Sequence, residues 1–126
     1  MDTREKIIEL ARAREIAREQ RSRLTLVTGY FDVLRTGHVA RLQQLDREGK
    51  GLMVVVLDPP APILSRRARA ELVAALAMVD YVVPAGQDGI RELLAEFPAD
   101  AVAREEASDL PRTQELTAHV QRRHSR

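Results

Sequence analysis

The stretch TLVTGYFDVLRTGHVARLQQL, residues 25–45, decides the fold of this chain. It opens within a short apolar run, predicted as a strand over 23–27 and closed by Gly29. Apolar residues then recur three positions apart, which predicts a helix over 36–48 with Thr36 as its N-cap. A strand followed at once by a helix begins a βαβ unit, so the stretch predicts a parallel sheet.

The same stretch places polar groups between the strand and the helix. Ligands of open parallel sheets bind beyond the carboxyl ends of the strands, which is where these residues fall. The turn at 36–38 exposes N–H groups at the positive end of a helix dipole, His38 can donate to a phosphate oxygen, and Arg35 adds a permanent positive charge. The prediction is a phosphate ligand, such as the phosphates of a nucleotide. Glycines at such turns are common and a lone histidine is usually packed or solvated, so spacing alone also allows a structural role.

The rest of the chain continues the alternation of strands and helices. The predicted elements are an N-terminal helix over 5–20, strands over 52–57, 81–84 and 100–103, a proline-rich loop over 58–62, and helices over 65–78, 88–97 and 111–123. We therefore predict an α/β fold, a Rossmann-like doubly wound parallel sheet in a three-layer α/β/α sandwich. It forms a single domain over 1–126 with its core over 23–104.

Composition excludes several classes of function. The chain has 126 residues, of which 3% are aromatic, and a net charge of +1, which argues against nucleic-acid and membrane partners. It has no cysteine, so disulfides and cysteine-ligated zinc are excluded. His119 and His124 have no partner at metal-ligand spacing, and no metal site is predicted. The charged N-terminal segment has no apolar signal core, and no apolar run reaches the length of a membrane span, so we expect a cytoplasmic protein.

Two common nucleotide-binding fingerprints are absent. Gly29 and Gly37 are too far apart for the dinucleotide pattern G-x-G-x-x-G, and no G-x-x-x-x-G-K occurs. The sequence therefore excludes an NAD-binding or P-loop assignment.

The motif VTGYFDVLRTGHVARLQQL resembles the signature of the cytidylyltransferase-like nucleotidyltransferase superfamily, G-x-F-D-x-x-H-x-G-H followed by an apolar helix. The resemblance is greatest to the heptose-phosphate adenylyltransferase domain and to glycerol-3-phosphate cytidylyltransferase. It extends to the leading helix, to RARAELVAALAMVDYVVP at 67–84 and to FPADAV at 97–102, and so covers most of the chain.

The resemblance implies transfer of a nucleotidyl group from ATP or CTP to a phosphorylated small molecule, with release of pyrophosphate. It implies Mg²⁺ as cofactor, and a homodimer is common among such proteins. By resemblance the catalytic residues are His38 and Arg35. The nucleotide-binding residues implied in the same way are Thr28, Gly29, Tyr30, Phe31, Gly37, His38, Arg69 and Thr113. Asp32 is expected to fix the turn, and the alternative for Arg69 is a solvated helix arginine.

The chain departs from the family pattern on the ligand side. Arg35 replaces the first histidine of the H-x-G-H pair, and the segment after the second strand is shortened to LDPPAPILS, without its lysine. The Lys-Gly-Gly-Asp after the fourth strand becomes Arg-Glu-Glu-Ala at 104–107, and the turn before the last helix reads SDLPRTQEL.

These departures leave three interpretations open. The first is an enzyme with an altered site, the second a non-catalytic nucleotide- or sugar-phosphate-binding descendant, and the third a structural or partner-binding domain. An Arg35 that points beside His38 favours phosphate binding, whereas an Arg35 turned to solvent favours the third interpretation.

Overall fold

The core of the fold is a sheet of parallel strands. The structure, a computed structural model, describes residues 2–20, 23–46 and 49–107. The strands are β1 (Thr25–Gly29), β2 (Leu52–Val56), β3 (Val79–Pro84) and β4 (Val102–Arg104). Every pairing is parallel, and the order across the sheet is β3-β2-β1-β4. The strand order runs outward from β1 to β3 and then returns to the far side of β1, as in a doubly wound sheet.

Helices cover both faces of this sheet. They are α1 (Leu10–Gln20), α2 (Thr36–Leu45), α3 (Arg66–Ala74) and α4 (Arg91–Ala95). Buried side chains of α1 and α4 pack with Leu26 and Met53 in one cluster. Buried side chains of α2 and α3 pack with Val27 and Val54 in a second cluster on the other face. Neighbouring residues of each strand thus point to opposite layers, which confirms the predicted three-layer α/β/α sandwich.

The N-terminal segment differs from its prediction. The predicted helix over 5–20 begins only at Leu10, after a 3₁₀ turn at Thr3–Lys6. Between them Ile7 forms a parallel bridge with Val82, and the Ile8 N–H donates to the Val82 carbonyl at 2.9 Å. The exposed edge of β3 offered unpaired backbone groups to this segment, and satisfying them outweighed helix propensity.

Other boundaries differ by smaller amounts. The predicted helix over 88–97 divides into a 3₁₀ turn at Gln87–Gly89 and the short α4. The predicted strand over 100–103 begins later, because a 3₁₀ turn at Ala99–Ala101 precedes β4. Ser65 caps α3 as predicted, since its side chain accepts from the Ala68 N–H at 3.1 Å. The predicted helix over 111–123 lies outside the described residues.

A glycine closes the corner between α2 and β2. The carboxylate of Asp46 accepts from the Gly51 N–H at 2.7 Å. Gly51 has φ +98°, and a Cβ at this position would stand 1.8 Å from the carboxylate of Asp80. Only glycine fits both the backbone conformation and the close carboxylate.

A buried arginine joins the carboxyl ends of β1 and β2. Arg69 on α3 has no exposed surface. Its guanidinium donates to the carbonyls of Tyr30 at 3.1 Å, Leu57 at 2.5 Å and Leu64 at 3.2 Å. It also donates to the carboxylate of Asp58 at 2.7 Å. The alternative of a solvated helix arginine is therefore wrong, because these oxygens lie at one point inside the molecule and require a forked cation.

Two carboxylates complete this cluster. The buried carboxylate of Asp32 accepts from the N–H groups of Ile63 at 2.7 Å and Leu64 at 2.8 Å. It lies 3.9 Å from Arg69. Hydrogen bonding to Arg66, with a smaller contribution from Arg69 and against the effect of burial, lowers the pKa of Asp58 to about 2. We call Arg69, Asp32 and Asp58 the arginine clasp. It holds the loop after β2 against the turn after β1.

We predict that Arg69→Met destabilises the protein by about 3–5 kcal/mol, because buried carbonyls and carboxylates lose their cation. Urea unfolding measures this. Arg67→Met is the matched control on the same helix, since Arg67 is exposed and pairs only with Glu71 among the described contacts; its effect should stay within about 0.5 kcal/mol. A small effect of Arg69→Met, within 1 kcal/mol or so, would contradict the structural role of the clasp.

We predict that Asp80→Asn raises Tm at neutral pH. Asp80 is itself exposed, but partial desolvation of its carboxyl raises the pKa above the ordinary 3.8; Lys6 opposes the shift and Asp46 adds to it. The charged form is therefore less favourable in the folded state, at a cost present above the folded pKa and absent below 3.8. Thermal melts from pH 7 to pH 3 should show the gain disappearing on acidification. The exposed Asp88→Asn should show no gain, and an Asp80→Asn variant with lower Tm at pH 7 would refute this reasoning.

Candidate functional site

The candidate site lies at the carboxyl ends of β1 and β4, where the strand order reverses. In open parallel sheets the loops on the two sides of such a reversal diverge and leave a crevice for a ligand. Here the first residue after β4 is still attached to β1, because the Glu105 N–H donates to the Thr28 carbonyl at 2.7 Å. The turn after β1 leads into α2 on the other side of the reversal, where the topology predicts a ligand crevice. We call this region the switch-point crevice.

The first turn of α2 presents backbone to this crevice. The helix begins at Thr36 with Arg35 as its extended N-cap, φ −125°, so the prediction of Thr36 as the cap is wrong by one residue. Gly37 is exposed, and a Cβ at this position would have no atom of the described residues within 4 Å. The N–H groups of Thr36 and Gly37 belong to the first turn, where no intrahelical acceptor exists for them. This turn has the space and the donors that an anion requires.

His38 is buried in the same turn, with 3% of its surface exposed. The ring Nδ1 accepts from the backbone N–H of Arg35 at 3.0 Å, and the backbone N–H of His38 donates to the Arg35 carbonyl at 3.0 Å. Because Nδ1 is an acceptor, the neutral imidazole that fits this contact carries its proton on Nε2. The capping contact thus fixes both the ring orientation and the donor atom.

Phe31 lies beside His38 and has a strained backbone. It has φ +50°, in the left-handed region that costs a non-glycine residue about 1–2 kcal/mol. Its ring is buried and lies 5.9 Å from the imidazole of His38, centroid to centroid. Backbone strain of this kind often occurs at ligand sites, where the surrounding structure enforces it. Here the neighbouring Asp32 anchors the chain immediately after the strained residue.

Backbone carbonyls at the end of β1 already accept hydrogen bonds from other parts of the fold. The Gly29 carbonyl accepts from the Leu57 N–H at 2.9 Å, and the Tyr30 carbonyl accepts from Arg69 at 3.1 Å. Thr28 is fully buried, and its hydroxyl has no hydrogen-bond partner among the described residues. An unpaired buried hydroxyl is uncommon, and it lies at the strand end that borders the crevice.

The structure brings together most of the implied site residues but not all. Thr28, Gly29, Tyr30 and Phe31 form one continuous segment that leads to Arg35, Gly37 and His38. Arg35 is exposed, the arrangement that was linked above to a structural or partner-binding domain. Arg69 donates to oxygens of the clasp, so its contact with a nucleotide stays a prediction. Thr113 lies outside the described residues.

An ion pair across the crevice did not follow from the sequence pattern. Arg41 on α2 donates to the carboxylate of Glu105, which immediately follows β4. Next to it Arg104 pairs with Glu106 at 3.1 Å. The only signal for the first pair was an arginine three residues after His38 and an acid after a predicted strand, and neither reports that the two meet.

Two further observations limit the chemistry. Among the residues that the structure describes, no group of three or more histidine, aspartate and glutamate side chains could hold a metal ion. Within the same ranges, every helix is too short or too polar to traverse a lipid bilayer.

Comparison with known proteins gives consistent matches. No protein-family model matches the chain. The bifunctional protein HldE of Chromohalobacter salexigens is 35% identical over 107 residues, covering 78% of this chain and 22% of the relative. That of Actinobacillus pleuropneumoniae is 34% identical over 98 residues, covering 71% and 21%. That of Sodalis glossinidius is 30% identical over 105 residues, covering 76% and 22%.

The chain thus spans about a fifth of the length of the curated relatives that it matches. The matches nevertheless take in most of the chain itself. They support a nucleotidyltransferase-like function. The chain belongs to the cytidylyltransferase-like nucleotidyltransferase superfamily and is a homologue of the heptose-phosphate adenylyltransferase domain of bifunctional HldE proteins.

Proposed function

We propose that this chain binds ATP or CTP at the first turn of α2 and transfers the nucleotidyl group to a phosphorylated small molecule. The observation that carries the proposal is the build of that turn, with open space over Gly37 and the Nδ1 of His38 held by the Arg35 N–H. Homology to an adenylyltransferase domain favours ATP as donor and a sugar phosphate as acceptor.

In the proposed reaction an oxygen of the acceptor phosphate attacks the α-phosphorus of the nucleotide. The bond from that phosphorus to its bridging oxygen breaks, and pyrophosphate leaves. A phosphate acceptor is already anionic near neutral pH, so the protein must supply alignment and positive charge rather than a base. His38 would donate from Nε2 to a phosphate oxygen, and the N–H groups of Thr36 and Gly37 would stabilise charge on the same group.

Magnesium is part of the proposal on the ground of the resemblance. Mg²⁺ is usually held by substrate phosphates together with one or two carboxylates, rather than by a cage of protein ligands. A nucleotide-bound Mg²⁺ would neutralise charge on the phosphates.

The acceptor would approach from the loop after β2. That loop is held to Asp32 by the Ile63 and Leu64 N–H groups, and Ile63 is exposed at its tip. The loop has no lysine, so an acceptor phosphate would have to find its cation elsewhere, and the exposed Arg35 is a candidate. A homodimer stays a prediction.

A non-catalytic nucleotide- or sugar-phosphate-binding role is the second candidate. It is favoured by the arginine at position 35, where the family has a histidine, and by the acids Glu105 and Glu106, which follow β4 at the crevice. Arginine can hold a phosphate, but its longer forked side chain does not place charge where a histidine does. Such a protein would bind nucleotide without turning it over.

We predict that ATP or CTP raises Tm by several degrees. A ligand at about 100 times its Kd adds roughly 2.7 kcal/mol to the stability of the folded state. Thermal melts with each nucleotide, with and without Mg²⁺, measure the shift, and Gly37→Val, which fills the open space, should abolish it. No shift with either nucleotide at millimolar concentration would contradict nucleotidyl transfer and a nucleotide-binding role. If sugar phosphates also gave no shift, a structural or partner-binding domain would be left.

We predict that Arg35→His raises the rate of pyrophosphate release from ATP and sugar phosphates, by about tenfold or more, because it restores a compact donor beside His38. Arg35→Gln, which removes the charge, should lower the rate. Nucleotide binding without pyrophosphate release in the wild type and in Arg35→His would favour the non-catalytic candidate. A slower Arg35→His enzyme would show that the arginine is the working residue.

A further inference from the structure

The ion pair between Arg41 and Glu105 joins the two walls of the switch-point crevice. Arg41 belongs to α2, which follows β1, whereas Glu105 follows β4. The Arg41 side chain is 45% exposed and that of Glu105 is 16% exposed. Arg41 lies in the helical part of the motif, and Glu105 lies where the family pattern has Lys-Gly-Gly-Asp; neither is among the site residues that the resemblance implies.

The position of Arg41 lets it serve the same ligand as the first turn of α2. Arg41 comes three residues after His38, so the two are neighbours on the helix surface. It lies four residues after Gly37, which corresponds to about 6 Å along a helix. Side chains of a helix lean toward its N-terminus, and an extended arginine covers a distance of this size. Its guanidinium can therefore reach an anion bound over Gly37.

The position of Glu105 explains why it meets Arg41. Ala103 on β4 packs against the cluster that contains the buried side chains of α2. Alternate residues of an extended segment face the same side, so Glu105, two residues further on, faces α2 as well. Its N–H bond to the Thr28 carbonyl keeps it at this height beside β1. The carboxylate is thus held next to the crevice by the backbone of the sheet.

We propose that Glu105 pairs with Arg41 until the phosphates of the nucleotide replace the Glu105 carboxylate as its partner. Arg41 is then a further nucleotide-binding residue. This inference rests on the proposed function, since it needs a phosphate at the first turn of α2. The pair is partly exposed, and such pairs are weak. The phosphates of a nucleotide carry more negative charge than one carboxylate and accept from a guanidinium in the same forked geometry. Exchange of the Glu105 carboxylate for a phosphate is therefore favourable.

The alternative role for the pair is a static one, in which it only fastens the end of β4 to α2. The two roles predict different behaviour. In the static role both Arg41→Gln and Glu105→Gln lower Tm and leave phosphate affinity unchanged. In the displacement role the two variants change affinity in opposite directions, because one removes the ligand contact and the other removes its competitor.

The experiment is isothermal titration of the full chain with ATP, CTP and inorganic pyrophosphate. Relative to the wild type, Glu105→Gln should bind the probes about two- to fivefold more tightly, because the competing weak ion pair is lost. Arg41→Gln should bind the probes roughly five- to tenfold more weakly, because a charge-assisted contact with phosphate is lost. The double variant should match Arg41→Gln, because in the displacement role Glu105 affects affinity by competing for Arg41.

The matched control is Glu96→Gln. Glu96 pairs with Arg18 at 3.2 Å, with side-chain exposures of 17% and 53% that resemble those of the crevice pair. The pair joins α1 to the end of α4, away from α2, and the substitution changes the net charge by the same amount. It should leave affinity for all three probes unchanged.

The outcomes separate this inference from the proposed function. If the wild type binds a probe and Glu105→Gln binds it equally tightly or more weakly, the inference alone is overturned. An equal gain in Glu96→Gln also overturns it, since the effect would then be one of net charge. No binding of any probe by any variant overturns the proposed function and the inference together.

Discussion

The reversal of strand order at β1 is the constraint on which the rest of the structure depends. Because β1 pairs in parallel with both β2 and β4, the chain must leave its carboxyl end toward one side and return to it from the other. The helices that make these connections cover opposite faces of the sheet. One crevice at the end of β1 follows from this topology, and the first turn of α2 faces it. The site therefore owes its position to backbone pairing before any side chain is considered.

The arginine clasp makes that position rigid. Arg69 joins the carbonyls of Tyr30 and Leu57, and Asp32 accepts from the loop after β2, so two consecutive crossover turns share one buried network. The strained Phe31 lies within this network, next to Asp32 and in ring contact with His38. A φ of +50° in a non-glycine residue persists only where its surroundings enforce it. We infer that the clasp supports the site through structure, while the donors of α2 meet the ligand.

Periodicity predicted the fold well and the side-chain networks poorly. The apolar runs and the helix after Gly29 were enough to predict a doubly wound sheet, because alternating periods of two and about 3.6 residues leave few other arrangements. Periodicity predicted the N-terminal segment wrongly as helix, since Ile7 pairs with an edge strand far along the chain. Arg69 was expected to contact nucleotide or solvent, because a sequence cannot report that carbonyls from three segments meet at one guanidinium. The meeting of Arg41 and Glu105 was missed for the same reason.

The central claim is that a nucleotide phosphate binds at the first turn of α2. The most direct measurement follows the backbone amide resonances of Thr36 and Gly37, and the ring of His38, during titration with ATP and then CTP. The account predicts saturable shifts at these three residues, with the amides of Glu96 and Arg18 unchanged as an internal reference. Shifts confined to other parts of the chain, or no saturable shift at these residues with either nucleotide, would contradict it.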